Sequence, residues 1–253
     1  MSISVLISDL HLEAARPDLT AFFEAFLQTV EGRIQDLYIL GDFFETWIGD
    51  DAAGEFENSI AQKLNHLHLS GTHIHLMHGN RDFLIGQAWL DQFGGQLLED
   101  PTTLELEGLP CTLMHGDTLC TDDFQYMKFR ETARSEAWQA QILAMPVAQR
   151  RQLADALRGA SQSSQQMKSM EIMDANADAI EAAFRASGTP WLIHGHTHRP
   201  DIHTHTVDGR QVKRMVLGDW GDVAHIGIVQ NGEAPRLVRI EKDQVGKQLK
   251  PYL

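Results

Sequence analysis

The sequence predicts an α/β protein built on a layered sheet, with a helical insertion. Three observations carry that prediction. Short β-rich runs alternate with amphipathic helical stretches, which implies strands and helices stacked in layers. Strand after strand ends in a glycine beside an aspartate, asparagine or histidine. One long central stretch then has almost no β-rich run. In layered sheets ligands bind beyond the carboxyl ends of the strands, so the recurring tips are where chemistry is expected.

In chain order, Ile3 to Ile7 is a strand closed by Ser8-Asp9-Leu10-His11. Asp9 and His11 are two residues apart at its tip and can converge on one point. Pro17 opens a helix to about Val30, with Leu19, Phe22, Phe23, Phe26, Leu27 and Val30 on one face. Leu37 to Leu40 is a buried strand ending in Gly41-Asp42, and a helix follows from about Phe56 to Leu69. His73 to Met77 ends in His78-Gly79-Asn80-Arg81-Asp82, before a short helix near Leu84 to Phe93. A β-rich pair, Thr103 to Glu107 and Cys111 to Met114, ends in His115-Gly116-Asp117.

Asp122 to about Ser187 reads as helical, with breaks at Pro146 and around Gly159 to Ser164. Trp191 to Ile193 is another buried strand. Its tip, Gly195, is flanked by His194, His196 and His198, and Pro200 stops it. Gln211 to Leu217, Ile226 to Val229 and Leu237 to Ile240 close the sheet, with turns at Gly209 and Asn231-Gly232. The expected organisation is a core of residues 1–121 and 188–241, a helical cap of 122–187 and a polar tail of 242–253.

The 253 residues, 43% of them hydrophobic, suffice for one large domain with an insertion. A formal net charge of -14 argues against a non-specific nucleic-acid binder, whose footprint is basic. Two cysteines, Cys111 and Cys120, are too few for a disulfide framework and fit a reducing compartment. No signal peptide and no bilayer-spanning segment is visible. The expectation is a cytoplasmic protein, or one that lies on a membrane without crossing it.

Asp9, His11, Asp42, Asn80, His115, His196 and His198 are the candidate metal ligands. Carboxylate, amide and imidazole without thiolate suit manganese, iron or zinc in an open site. Seven ligands exceed what one ion needs and suit two ions bridged by Asp42, a pair that can bind a phosphoryl group and activate water. Arg81 could clamp phosphate oxygens. Such parts perform metal-assisted hydrolysis at phosphorus without a covalent intermediate. Glu45, Asp82, Asp117 and His194 read as residues that orient ligands or turns. Asp219 to Asp222 reads as a turn.

Together, Asp9-x-His11, Gly41-Asp42, Gly79-Asn80-Arg81-Asp82, His115-Gly116-Asp117 and Gly195-His196-x-His198 resemble the calcineurin-like metallophosphoesterase signature, in the family's order. The resemblance implies a four-layer α/β/β/α sandwich around two metals. One ion would take Asp9, His11, Asp42 and His198, and the other Asp42, Asn80, His115 and His196. Longer blocks, Tyr38 to Asp51, His78 to Leu84, Met114 to Asp123 and Ile193 to Pro200, resemble the UDP-2,3-diacylglucosamine hydrolase family of Gram-negative lipid A biosynthesis. That resemblance weakens after about Gly218.

It implies two Mn2+ ions and an acylated UDP-sugar as substrate. Metal-activated water attacks the α-phosphorus, giving UMP and 2,3-diacylglucosamine 1-phosphate. Asp42, Asn80, Arg81 and His115 would be catalytic. Asn80, Arg81, Asp123, Ser161, Gln165, Lys168 and His196 would contact substrate, with Gln165 standing where the family pattern has asparagine. A peripheral place on the cytoplasmic face of the inner membrane would follow, with no nucleic acid and no obligate protein partner.

Within the insertion, Phe124, Met127, Phe129, Trp138, Ile142, Leu143, Met145 and Leu153 could line an acyl-chain groove, with Tyr126 a further cap candidate. Arg150, Arg151 and Arg158 read as a basic cluster able to rest on anionic lipid. Two rival readings stay open. One is a metallophosphoesterase for a soluble nucleotide or phosphoprotein; the other is a non-catalytic module that kept the sandwich as a scaffold.

Overall fold

The computed structural model describes residues 2–167 and 174–253, with side chains described over 2–159 and 174–253. One sheet is built from β1 (Ile3–Ile7), β2 (Asp36–Leu40), β3 (His73–Met77), β4 (Gln96–Leu98), β10 (Val223–Gln230) and β11 (Arg236–Glu241), in the order β11-β10-β1-β2-β3-β4. The other contains β5 (Thr102–Leu106), β6 (Leu109–Met114), β7 (Trp191–His194), β8 (Asp201–Val207) and β9 (Arg210–Val216), in the order β5-β6-β7-β9-β8. The helices are α1 (Pro17–Val30), α2 (Glu55–Leu69), α3 (Gln87–Leu90), α4 (Phe124–Ala133), α5 (Glu136–Leu143), α6 (Val147–Met167), α7 (Ala177–Ser187) and α8 (Val245–Leu249).

Side-chain alternation explains the layers. On β1, Val5 and Ile7 join a core with Phe22, Phe23 and Phe26 of α1 and Ile60 and Leu64 of α2. Leu6, between them, points to the opposite face and meets Leu113 of β6, Ile193 of β7 and Met215 of β9. On β7, Trp191 and Ile193 face that shared interior, while Leu192 packs outward against Ile180 and Phe184 of α7. Helix, sheet, sheet and helix therefore stack as four layers, each pair sealed by its own apolar cluster.

Several sequence expectations need revision. α7 covers the outer face of the second sheet, so the sandwich resumes near Ala177 and not at residue 188. The break at Pro146 separates α5 from α6, but α6 runs through Gly159 to Met167 without the expected interruption. The tail is not a polar appendage: Val245 and Leu249 of α8 are buried against the helical face of the first sheet. Trp220, read only as part of a turn, packs against Phe22 in a tilted contact at 4.6 Å and edge-to-face against Phe26 at 5.6 Å. β4 is too short, at three residues, to announce itself by alternation. Among the described residues no helix is long and apolar enough to cross a membrane.

The burial of α8 has a measurable consequence. Leu249→Ala lowers stability by about 2–5 kcal/mol, the usual cost of a fully buried leucine. Lys247→Ala, on the exposed side of the same helix, stays within about 0.5 kcal/mol. Urea unfolding midpoints check both, and equal midpoints would return the tail to a solvated appendage.

Candidate metal centre

Parallel pairing brings the strand tips together. β1, β2 and β3 are parallel neighbours in one sheet, and β6 and β7 are parallel neighbours in the other. Their carboxyl ends therefore open on the same side, and the tip loops meet where the two sheets face each other. Beyond β1 and β2 the loops continue to pair: Asp9 N–H donates to Gly41 O at 3.1 Å and His11 N–H to Asp42 O at 3.0 Å.

The side chains converge in two groups. Ligand atoms of Asp9, His11 and His198 lie within 4.8 Å of one another, and so do those of Asp42, His115 and His196. Asn80 joins the second group, its Oδ1 lying 3.0 Å from His115 Nε2 and 2.8 Å from His196 Nδ1. All seven sequence-predicted ligands thus fall in these two groups, which adjoin where His196 N–H donates to Asp9 Oδ2 at 2.9 Å.

Backbone conformation makes the convergence possible. Asp9, His11, Asp42, His196 and His198 all hold left-handed backbone, with φ between 49° and 66°. Outside this cluster the positive-φ non-glycine residues among the described ones, Glu107, Asp208 and Asn231, each precede a glycine in a hairpin turn. Glycines allow the loops to touch. A Cβ on Gly79 would lie 2.2 Å from Asp42 Oδ1, and one on Gly195 would lie 2.2 Å from Asp9 Oδ2. That is the physical reason for the glycine beside each tip residue.

Surrounding groups fix the orientation of the cluster. His115 Nδ1 donates to Leu40 O at 2.9 Å, which leaves Nε2 facing the site. Buried Asp82 accepts from Gly79 N–H at 2.8 Å, Phe43 N–H at 2.7 Å and Phe44 N–H at 3.3 Å. It clips the Asp42 loop to the Asn80 loop. Glu45 lies 3.0 Å from His11 Nδ1 and accepts from Arg81 Nη1 at 2.7 Å. Arg81 therefore pairs with Glu45 and not with adjacent Asp82. His194 is buried, donating from Nδ1 to Gly195 O at 2.8 Å and accepting from Arg214 at 2.9 Å.

The electrostatics fit a cation. Burial alone would raise the Asp9 carboxyl, but His198, His115 and His11 hold it below the ordinary range. Burial would depress His115, but Asp42, Asp117 and Asp9 push it up to about 9. His198 and His11 are likewise raised against burial, by Asp9 and Glu45 respectively. His196 goes the other way, to about 4, under burial and the field of His115. Imidazoles drawn toward the charged form report a pocket with excess negative charge. Asp9 Oδ1 is buried, makes no hydrogen bond to another described residue, and lies 3.4 Å from His198 Nε2. Oxygen and nitrogen donors in such a field suit divalent ions without thiolate.

A cavity of about 620 Å³ runs from Asn80, His196 and His198 to the inserted helices. Its wall includes four of the predicted groove residues, Phe129, Trp138, Ile142 and Leu153, and also Tyr126. Phe124 is instead 78% exposed, and Met127, Leu143 and Met145 do not line the cavity. The core adds Trp47, Ile48, Phe83 and Leu84, which lie in the family-like blocks but were not expected in the groove, and α6 adds Leu157. Tyr126 stacks on His196 at 6.2 Å and donates its hydroxyl to Asp117. Asp123 lines the cavity and caps α4 by accepting from Tyr126 N–H at 3.0 Å. Ser161, Gln165 and Lys168 lie outside the residues whose side chains are described.

The supposed basic cluster comes apart. Arg150 is 2% exposed and binds Asp51, while Arg158 binds Glu45 at 2.6 Å. Only Arg151 of the three is exposed. Arg134, which sequence reading missed, donates to Gly79 O at 2.8 Å. It sits in the inserted stretch with no motif around it, so nothing in the sequence pointed to that contact.

Comparison with known proteins agrees with this geometry. The calcineurin-like phosphoesterase family model matches residues 4–200. A UDP-2,3-diacylglucosamine hydrolase of Hahella chejuensis is 50% identical over 224 residues, 88% of this chain and 92% of that one. A protein of the same name from Pseudomonas entomophila is 47% identical over 251 residues, 98% of each chain. A solved archaeal phosphodiesterase, 14% identical, has the same fold, with a TM-score of 0.50 over 94% of this chain and 99% of that one.

The Asp82 clip predicts a stability effect. Asp82→Ala orphans three buried N–H donors at about 1–3 kcal/mol each, so the loss should reach at least about 3 kcal/mol. A urea midpoint showing under about 1 kcal/mol would mean that the two loops hold together without it.

Proposed function

This chain belongs to the calcineurin-like phosphoesterase family and, within it, to the UDP-2,3-diacylglucosamine hydrolases, and on that premise we propose that it cleaves the pyrophosphate of UDP-2,3-diacylglucosamine to UMP and 2,3-diacylglucosamine 1-phosphate. The observation that carries the substrate reading is the cavity. It joins a cation-seeking cluster at one end to an apolar wall at the other, and the proposed substrate carries a diphosphate and two acyl chains. A soluble nucleotide or phosphoprotein would give the apolar wall nothing to bury.

Two manganese ions are the proposed cofactor. Asp9, His11, Asp42 and His198 would hold one, and Asp42, Asn80, His115 and His196 the other. When bound, such a pair supplies charge to the phosphoryl oxygens and lowers the pKa of a water. The protein's own contribution is to bind, orient and enclose. Glu45 keeps His11 and Arg81 in place, and Arg81 faces the cavity, where a guanidinium can clamp phosphate oxygens. Asn80, Asp123 and His196, also on the cavity wall, would contact the sugar and phosphate together with Ser161, Gln165 and Lys168. Water adds to the α-phosphorus, the bridging P–O bond breaks, and UMP departs with the added oxygen.

The site of action proposed is the cytoplasmic face of the inner membrane, held peripherally. Of the five exposed large apolar side chains among the described residues, Phe124, Phe129, Leu143 and Leu157 lie on the inserted helices. Exposed apolar surface concentrated beside a lipid-binding cavity suits contact with a membrane.

Metal-stripped protein given manganese should hydrolyse the acylated substrate, and heavy-oxygen water should label UMP. Label in the sugar phosphate would overturn attack at the α-phosphorus. No hydrolysis of any phosphate ester or anhydride after manganese is returned would sink the enzyme reading. His115→Ala should lower turnover by roughly 100-fold or more with an unchanged circular dichroism spectrum. Unchanged turnover would remove His115 from the site.

A further inference from the structure

The long cap helix meets the core on one face. Arg150, Leu153, Ala154, Leu157 and Arg158 all line the cavity. Their spacing, i, i+3, i+4, i+7 and i+8, is one stripe of an α-helix. The loop after β2 lies beneath that stripe and offers an acid toward each end, Glu45 to Arg158 and Asp51 to Arg150.

The two contacts differ in kind. Arg158 keeps 30% of its side chain exposed and uses one nitrogen, Nη2, on Glu45, at 2.6 Å from the carboxylate and 3.3 Å from the backbone O. Arg150 is 2% exposed and uses its whole fork. Nη1 donates to Ile48 O at 2.5 Å and to Asp51 Oδ1 at 2.8 Å, and Nη2 donates to Asp51 Oδ2. Nε donates to Met145 O at 3.0 Å, at the turn that starts α6. Arg150 therefore ties the root of α6 to a core loop and to the preceding turn at once. Gly49 makes room for it, since a Cβ there would lie 2.4 Å from Nη1.

The loop it grips is itself rigid. Asp50 accepts from Trp47 Nε1 at 3.1 Å, from Gly86 N–H at 2.8 Å and from Trp89 N–H at 2.9 Å. Trp89 is fully buried in the core. An ion pair whose acid is 62% exposed is weak as a source of net stability, because solvent screens its attraction. What a forked, fully satisfied arginine supplies is geometry.

We propose that Arg150 is a positioning residue that sets the register of α6 on the core, and so decides where the cap's leucines stand relative to the metal ligands. The assignment rests on the substrate reading above, because only an acylated substrate needs that wall. Misplacing a positioning element by about 1 Å can cost on the order of 100-fold in rate without touching the reacting groups.

Arg150→Met tests it, with manganese present and two substrates measured side by side. On UDP-2,3-diacylglucosamine, kcat/KM should fall about 10–100-fold, mostly through KM. On bis(p-nitrophenyl) phosphate, which has no acyl chain, it should stay within about twofold. Arg150→Lys keeps the charge but not the fork, and should fall between Met and wild type. Asp51→Ala removes only the partner that is 62% exposed, so the fold is kept. It should show a smaller loss, about 3–10-fold, with the same bias between substrates.

Equal losses on both substrates, full activity of Arg150→Met on the acylated one, or an Asp51→Ala enzyme matching wild type would each overturn the assignment. If wild type itself leaves the acylated substrate intact, the substrate reading falls and takes this inference with it. Any of the other outcomes removes only the role of Arg150.

Discussion

Strain at the strand tips is the constraint on which the rest depends. Five of the seven clustered residues hold left-handed backbone, a region that costs an L-residue roughly 1–2 kcal/mol. Five such positions together approach the whole net stability of an ordinary domain, roughly 5–15 kcal/mol. The tips cannot hold themselves in place. They persist because parallel strands deliver them to one side, the paired loops of Asp9–Gly41 and His11–Asp42 prevent relaxation, and Asp82 fastens a third loop. Three apolar clusters beneath them supply the surplus that the strain consumes.

Glu45 is the second organising group. One carboxylate touches His11 of the clustered strand tips, Arg81 of the loop after β3 and Arg158 of α6. Two arginines and an imidazole around a single acid leave spare donor capacity, and the cations beside the cavity keep hydrogen-bonding atoms for an anionic ligand. Burial alone would raise Glu45, but His11, Arg81 and Arg158 hold it below the ordinary carboxylate value, so it stays charged as a fixed point. Strand tips and inserted helix are thereby linked through one carboxylate on the cavity wall.

The core and the residues that converge at the strand tips were legible in the sequence because both follow short-range rules. Short β-rich and apolar runs placed β1, β2, β3, β6 and β7 within a residue or two, and Pro17 marked the start of α1. A glycine beside Asp42, Asn80, His115 and His196 marked each tip, and the structure gives the reason in the space those glycines leave. What was not legible depends on partners far along the chain. Arg150 and Arg158 stand close together in sequence and read as one basic patch, yet each meets its own acid roughly 100 residues earlier. Trp220 looked like a turn because the three phenylalanines that bury it belong to α1. α7 shared the composition of the cap but packs on the sheet, and composition cannot say which of two apolar surfaces a helix will cover.

The division of labour between sandwich and insertion follows from the same physics. Ligand geometry at strand tips is set by hydrogen bonds between neighbouring loops and tolerates little change. The wall of the cavity is set by helix packing, where hydrophobic residues of similar volume exchange at small cost. Of eight insertion residues expected to line a groove, four do so, and Tyr126, Ala154 and Leu157 of the insertion together with the core loops around Trp47 and Phe83 add further apolar surface. An archaeal phosphodiesterase shares the sandwich at 14% identity, so the fold alone does not select a substrate. The inserted helices meet the core through a few polar contacts, from Arg134 to Gly79, Arg150 to Asp51 and Arg158 to Glu45, so their position over the tips depends on far fewer bonds than the tips themselves.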